Sequence, residues 1–261
     1  MNIFVEGLQG SGKTTLSEKL TELYPEHHLI KEGDYSPVEL AWCAYTDEKI
    51  FQEILKKYPE LSSEIKENTF AEGDHRIICY TKIRTDNRNF YQDLEQYEIY
   101  NKRTTDEEFQ DIILSRYQKF SADQMIFECS LLQNITEEMI LFRDMSDKDI
   151  LSFYEKVRMA LSGKDFTIFY LITDDIKGNY EKVRKERVDD KGNEVWHELM
   201  MNYFNDSPYA INRNIKGEEA LIGHLKHRQQ LEIRICEEIY RERCRFLRSK
   251  KYTENDLYIH A

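Results

Sequence analysis

The sequence predicts an α/β protein of three layers, in which a mostly parallel, doubly wound sheet lies between helices. Two observations carry that prediction. Short apolar runs bounded by turn residues alternate with stretches of helical periodicity along most of the chain. The first such run passes through a glycine-rich turn straight into the first helical stretch, and no repeat, linker or low-complexity tract breaks the pattern that follows. One domain over residues 1–261 is therefore expected, with an insertion at about 60–103.

Taken in order, NIFVE at 2–6 reads as a buried strand, and GKTTLSEKLTELY at 12–24 as a helix with Leu16, Leu20 and Leu23 on one side. A second strand fits the apolar HHLIKEG at 27–33, which ends on a glycine. From Ser36 to about Lys57 the pattern turns helical, with Pro37 placed near a helix start. The polar, tyrosine-rich stretch from Glu60 to Arg103 shows no regular pattern, and RIICYTKIR within it fits a strand or an irregular helix. Beyond it, DEEFQDIILSRYQKF is a helix, DQMIFECS a buried strand, DKDILSFYEKVRMAL a helix and FTIFYLIT another strand. The charged DDIKGNYEKVRKERV forms a helix that ends at the polar turn DDKGN, 189–193. A long amphipathic helix follows at 217–243, and CRFLRS at 244–249 is the last strand.

A chain of 261 residues can bury a full core. No run approaches the ~18 apolar residues of a membrane span. MNIFVEG leads into the glycine turn without the charged stretch and apolar run of a signal peptide. The five cysteines, Cys43, Cys79, Cys129, Cys236 and Cys244, show neither a CxxC pair nor metal-ligand spacing, which points to reduced thiols and a cytoplasmic protein. A net charge of −12 argues against a nucleic-acid polymer as partner, because such binding needs a basic surface. His27 and His28 begin a strand while His224 and His227 ride the long helix, and neither arrangement supports a metal site.

VEGLQGSGKTTL, 5–16, is the sharpest signal. Gly7, Gly12, Lys13 and Thr14 satisfy the spacing G-x-x-x-x-G-K-[ST] of a phosphate-binding loop, the Walker A motif. Glycines at 7, 10 and 12 let the backbone wrap round a phosphate, with Ser11, Lys13, Thr14 and Thr15 completing the cradle. Lys13 reaches the β- and γ-phosphates of a nucleotide, and the Thr14 hydroxyl can ligate Mg²⁺. The helix that follows turns its positive end to the same place. With a strand before and a helix after, a P-loop NTPase fold is expected. No NKxD-type base-recognition motif follows a strand, and ALSGKDF lacks the second glycine and the glutamine of a transporter-ATPase signature.

VEGLQGSGKTT resembles the phosphate loop of thymidylate kinases and deoxynucleoside kinases, with Gln9 where the former commonly carry an aspartate. LIKEGDYSPVELAW is similar to the deoxynucleoside-kinase segment whose second-strand glutamate acts as base; Glu32 is the match, and Asp34 stands close behind. SRYQKFSADQMIFECSLL resembles the helix and strand leading to that group's Glu-Arg-Ser motif, with Glu128 and Ser130 kept and Cys129 in place of the arginine. FTIFYLITDDIKGNYEKVRKER is similar to its strand, helix and arginine-bearing lid, here about 174–196. The segments keep the family's order over most of the chain, outside the insertion.

The resemblance implies a phosphotransferase using ATP and Mg²⁺ on a small-molecule acceptor, a nucleoside or nucleotide foremost. Lys13 and the loop amides would hold the β- and γ-phosphates, and Thr14 and Glu128 the metal. Glu32 would orient the acceptor hydroxyl and take its proton, with Asp34 the alternative. Arg184 and Arg187 would close over the transferred phosphoryl, with Lys182 and Lys185 beside them. Plainer readings stand next to these: Glu128 as an ion-paired or capping acid, Asp34 as a turn former, the arginines as a solvated helix face. Trp42, Tyr45, Tyr80, Lys82, Arg84 and Arg88 are candidate acceptor contacts, and core packing explains Trp42 equally well. The unmatched insertion also permits a kinase of another acceptor, such as an antibiotic or a sugar nucleotide. Gln9 and Cys129 favour a nucleotide-binding regulatory module with little catalysis. A homodimer is admitted by all three.

Overall fold

In the computed structural model, which describes residues 1–259, the chain opens with β1 (Asn2–Gly7), α1 (Lys13–Leu23) and β2 (His28–Ile30). It continues through β3 (Ala44–Asp47), α2 (Glu48–Lys57), α3 (Ser62–Glu67), β4 (Thr69–Glu72), β5 (His75–Ile78), α4 (Arg88–Glu95) and α5 (Asp106–Lys119). Then come β6 (Met125–Glu128), α6 (Gln133–Glu137), α7 (Asp147–Ala160), β7 (Phe166–Ile172) and α8 (Ile176–Glu186). The last elements are α9 (Val195–Asn205), α10 (Pro208–Arg213), α11 (Glu218–Ile235) and β8 (Cys244–Arg248). The chain forms two compact units: Met1–Leu29 together with the chain from Ser121 onward, and Ile30–Phe120.

The first unit is built on a five-stranded sheet of order β2-β6-β1-β7-β8. Parallel pairing sets Val5 opposite Glu128 on one side of β1 and Gly7 opposite Leu171 on the other. β8 extends the sheet in parallel from β7, with Leu171 opposite Leu247. Both faces are covered. On one, Leu16 and Leu20 of α1, four apart and thus on one side of the helix, pack with Ile3, Val5, Ile126, Phe169 and Leu171. On the other, Phe4 stacks on Phe127 with ring centroids 5.0 Å apart, and the Tyr170 hydroxyl donates to Glu232 of α11 at 2.6 Å. The Tyr154 hydroxyl of α7 donates to the Leu131 carbonyl at 3.2 Å on that same side. This is the parallel sheet flanked by helices that the sequence predicts, and β1 sits at its centre. Among the described residues no helix is long and apolar enough to cross a membrane.

The second unit holds an antiparallel sheet of order β3-β5-β4, and the predicted insertion falls within it. Its core gathers Phe51, Ile54 and Leu55 of α2, Ile65 of α3, and Phe90 and Leu94 of α4 around Ile78 and Tyr80. RIICYTKIR turns out to be both of its readings in succession, since β5 leads into a short 3-10 turn at Tyr80–Lys82. The helix expected from Ser36 to Lys57 is corrected to α2 alone. The Ser36 hydroxyl accepts from the amides of Val38 at 3.3 Å and Glu39 at 3.2 Å, and the Glu39 carboxylate accepts from the Ala41 amide at 2.6 Å. Trp42 stands at φ +63°, outside helical space. The Glu39 side chain thus takes the Ala41 amide that a continuing helix would use, and Ala44–Asp47 is claimed by pairing with His75–Ile78. The helix starts only where the Asp47 side chain accepts from the Ile50 amide at 2.7 Å. The long helix at 217–243 is likewise shorter, ending at Ile235 in a π-turn over Cys236–Tyr240.

Glu6 is the one acid on β1, and it is fully buried. Burial pushes its pKa up to about 7, while hydrogen bonds from the amides of Leu131 at 2.6 Å and Gln133 at 3.0 Å pull the other way. Between the ordinary glutamate value and 7, the folded chain holds a proton that the unfolded chain has lost. Stability therefore falls as pH rises through that window, by at most about 3 kcal/mol from this group, and is flat above it. Denaturant titrations of Glu6→Gln across pH 5–8 should show a shallower fall than wild type; equal slopes would mean that another group carries the dependence.

Candidate active site

The glycine loop leaves β1 at the carboxyl edge of the sheet, between β6 and β7, where a doubly wound sheet opens its crevice. Gly7 has no room for a side chain, since a Cβ there would lie 2.7 Å from the Leu171 carbonyl oxygen. Gly10, at φ +73°, is tighter still, because its Cβ would come within 2.2 Å of a methyl of Val183 on α8. The Ser11 amide donates to the Leu8 carbonyl at 3.2 Å, and the Ser249 hydroxyl donates to the Ser11 carbonyl at 2.6 Å. Gly12 turns the chain into α1 at φ 96°. Lys13 is buried, and its ammonium donates to the carbonyls of Gly7 at 3.0 Å and Leu8 at 2.8 Å. α1 has no side-chain cap and no acid in its first turn, so its positive end is left facing the loop, with Thr14 and Thr15 exposed.

Register then brings a carboxylate to the same place. Because Val5 pairs with Glu128, the end of β6 lies beside the end of β1, and the Thr14 hydroxyl donates to Glu128 Oε1 at 2.6 Å. Glu128 is buried and Thr14 exposed, so the two oxygens lie at the mouth of the loop. Hard oxygen donors of this kind suit Mg²⁺, which keeps waters and phosphate oxygens for its other positions. After Glu128 the chain turns sharply at Cys129, φ +61°, whose amide donates to the Val5 carbonyl at 3.1 Å and whose side chain is buried. Ser130 turns its hydroxyl back onto the Glu128 carbonyl at 3.3 Å.

The two predicted lid arginines are held elsewhere. Arg184 bridges Glu194 at 2.5 Å and Glu218, the first residue of α11, at 2.8 Å. Arg187 lies over the Trp196 ring, 5.5 Å from its centroid. The polar turn that follows them is well organised, with the Asp189 carboxylate accepting from the amides of Lys191 and Asn193, both at 2.8 Å. α8 does touch the loop, but through other residues: the Asn179 side chain donates to the Gln9 carbonyl at 3.0 Å, and Val183 packs on Gly10.

A buried polar group next to the loop was missed at the level of sequence. Arg228, wholly buried on α11, donates to the Gln9 side-chain oxygen at 2.7 Å and ion-pairs with Glu137 at 2.8 Å and Glu232 at 3.3 Å. Burial works to raise the Glu137 pKa, but Arg228 and His224, 2.8 Å away, overcome it and hold the carboxyl down at about 2. For Glu232 burial wins over Arg228, and its pKa is raised. The available signal was spacing, because His224, Arg228 and Glu232 stand four apart and form one polar stripe along a helix with apolar neighbours.

In the second unit, Glu32 is exposed and accepts from the Trp42 indole at 3.1 Å, which is its one hydrogen bond among the described residues. Asp34 is occupied: it accepts from the Lys31 amide at 2.8 Å and pairs with Lys82. Glu39, which sequence reasoning did not single out, is buried against the Tyr100 hydroxyl at 2.5 Å, and burial pushes its pKa up to about 8.

No protein-family model matches the chain, and no curated protein matches it in sequence. Among solved structures, the crystal structure of a gluconokinase from Sinorhizobium meliloti 1021 is similar at 10% identity, over 98% of this chain and 86% of that one, with a TM-score of 0.36. A likeness at that score transfers neither fold nor activity.

The loop's fit under α8 can be broken at one atom. Gly10→Ala adds a methyl where Val183 already stands and forces φ +73° on an alanine, so it should lower stability by about 1–3 kcal/mol in a denaturant melt. The Gly12→Ala methyl meets open space, which leaves only the backbone term. Equal losses in the two variants would show that packing against Val183 contributes nothing.

Proposed function

We propose that the chain is a P-loop kinase that binds ATP with Mg²⁺ and moves the γ-phosphoryl group onto a small-molecule acceptor, a nucleoside or nucleotide foremost. The 2.6 Å contact between the Thr14 hydroxyl and the Glu128 carboxylate carries the reading, because it puts two metal-binding oxygens at the mouth of a glycine loop ahead of an uncapped helix. Mg²⁺ held there would neutralise charge on the β- and γ-phosphates. Lys13 gives up the carbonyls of Gly7 and Leu8 for phosphate oxygens, and the amides of Gly10 to Thr15 line the phosphates. Of the two candidate bases Glu32 is preferred, since Asp34 already serves Lys82 and a turn amide. Arg184 and Arg187 supply the closing charge by leaving their present partners when nucleotide arrives. A nucleotide-binding module with little turnover is the second reading, favoured by Cys129, whose small buried thiol offers phosphate no charge.

Calorimetric titration with ATP and Mg²⁺ tests the first step. Wild type should bind, Lys13→Ala should lose most of that affinity, and Glu128→Gln should need more Mg²⁺ for the same saturation. A Lys13→Ala isotherm that matches wild type refutes nucleotide binding at the loop. A screen of nucleosides, nucleotides, antibiotics and nucleotide sugars for acceptor-dependent ATP consumption then separates the kinase from the binding module.

Closure has its own signature. Amide exchange over residues 187–196 should slow when ATP and Mg²⁺ are added to wild type and stay unchanged in Arg184→Ala. The same variant should lose turnover more than ATP affinity, as expected of a contact that strengthens in the transition state. Ligand-independent exchange with normal turnover would return the segment to a static role.

A further inference from the structure

The tip of the glycine loop, Leu8-Gln9-Gly10, carries a contact that the proposed reaction does not account for. Gln9 is held twice. Its carbonyl accepts from Asn179 of α8 at 3.0 Å, and its side-chain oxygen accepts from Arg228 of α11 at 2.7 Å. Arg228 is wholly inside the protein, where an unpaired guanidinium would be untenable, and the fold surrounds it accordingly. Glu137 lies 2.8 Å from its Nη1 and Glu232 3.3 Å from its Nε, both as ion pairs. His224 meets the same Glu137 oxygen at 2.8 Å, and the Tyr170 hydroxyl donates to the other oxygen of Glu232 at 2.6 Å. What remains of the guanidinium is one nitrogen, and it is aimed at Gln9.

Stability alone does not explain this arrangement. Buried ion pairs are often matched or bettered by well-packed apolar side chains, so a cluster of two acids, an arginine and a histidine is a costly way to fill space beside the sheet. What it provides is a rigid, planar donor at a fixed point over the loop, which a flexible ammonium cannot supply. A loop of three glycines has little stiffness of its own.

We infer that Arg228 is the positioning residue of the glycine loop: clamped by Glu137 and Glu232, it fixes the Gln9 side chain and thereby holds the tip in the form that receives phosphate. It touches no reacting atom. The last part rests on the proposed nucleotide binding; the clamp on the loop does not.

Amide exchange in the protein without nucleotide tests the clamp directly. Arg228→Lys keeps a positive charge for Glu137 but has no fork to reach Gln9, and Gln9→Ala removes the acceptor at a half-buried site. Each should speed exchange at residues 8–12 by roughly tenfold, the value of one hydrogen bond to a charged group. The double variant should be no faster than the faster single, because both remove the same contact. Gln9→Glu, which offers Arg228 a carboxylate, should keep wild-type protection or exceed it. Effects that multiply in the double variant, or Gln9→Ala and Gln9→Glu behaving alike, overturn the inference. Should Arg228→Lys fail to fold, the Gln9→Ala and Gln9→Glu pair decides on its own. A merely structural Arg228 would speed exchange along α11 and leave the loop no faster than its surroundings. Titration with ATP and Mg²⁺ gives the functional arm, with affinity falling in Gln9→Ala and retained in Gln9→Glu. If wild type binds no nucleotide at all, the kinase reading fails while the exchange data still decide the clamp.

Discussion

Pairing of β1 on both of its edges is the constraint around which the first unit is arranged. Each residue from Asn2 to Gly7 is buried, with β6 on one side, β7 on the other and helices over both faces. A strand so enclosed can release its chain only at its end, and it does so against the Leu171 carbonyl, where nothing larger than glycine fits. The same register that fixes Gly7 beside Leu171 fixes Val5 beside Glu128, so the loop and the carboxylate arrive together. Strand pairing thus brings Glu128 beside the loop, where its side chain meets the Thr14 hydroxyl.

Charge is distributed against the overall balance. The chain carries a net −12, yet the loop gathers Lys13, the uncapped end of α1 and, behind Gln9, the guanidinium of Arg228. Acids that come close are tied down: Glu6 by two amides, Glu137 by Arg228 and His224, Glu232 by Tyr170 and Arg228. Each of those buried groups would cost several kcal/mol if left without its partner, and Glu137, His224, Arg228, Glu232 and Tyr170 are joined in one chain of contacts behind Gln9.

What the sequence made legible followed local rules. The glycine spacing, the helix after it and the apolar runs of β1, β6 and β7 are set by neighbours in the chain, and Glu128 was singled out by resemblance to the Glu-Arg-Ser segment and by its place at the end of one of those runs. What stayed hidden depends on residues far apart in sequence. Ser36 to Asp47 looked helical until β5, some thirty residues on, took the amides of β3, with Ala44 opposite Ile78. Arg228 reads as an ordinary charge on an amphipathic helix until Gln9, at the other end of the chain, is placed against it. Motif order singled out Arg184 as a lid candidate, but its partners Glu194 and Glu218 were not legible.

Those partners bear on how the site can move. α8 meets the loop through Asn179 and Val183, one turn apart on a single face, and Arg184, the next residue, projects to the side toward Glu194 and Glu218. The two kinds of contact differ in strength. Val183 is buried against Gly10, whereas the Arg184 pairs are part-exposed, so water and salt screen them. A phosphate group competes well for a guanidinium in such pairs, because it offers a denser charge and a matching fork of oxygens. It has nothing to offer Val183. In the closure proposed above, the cheaper motion would free the arginine and the turn beyond it while the first two turns of α8 stay on the loop, so one part of the helix would hold the proposed site and another would close it.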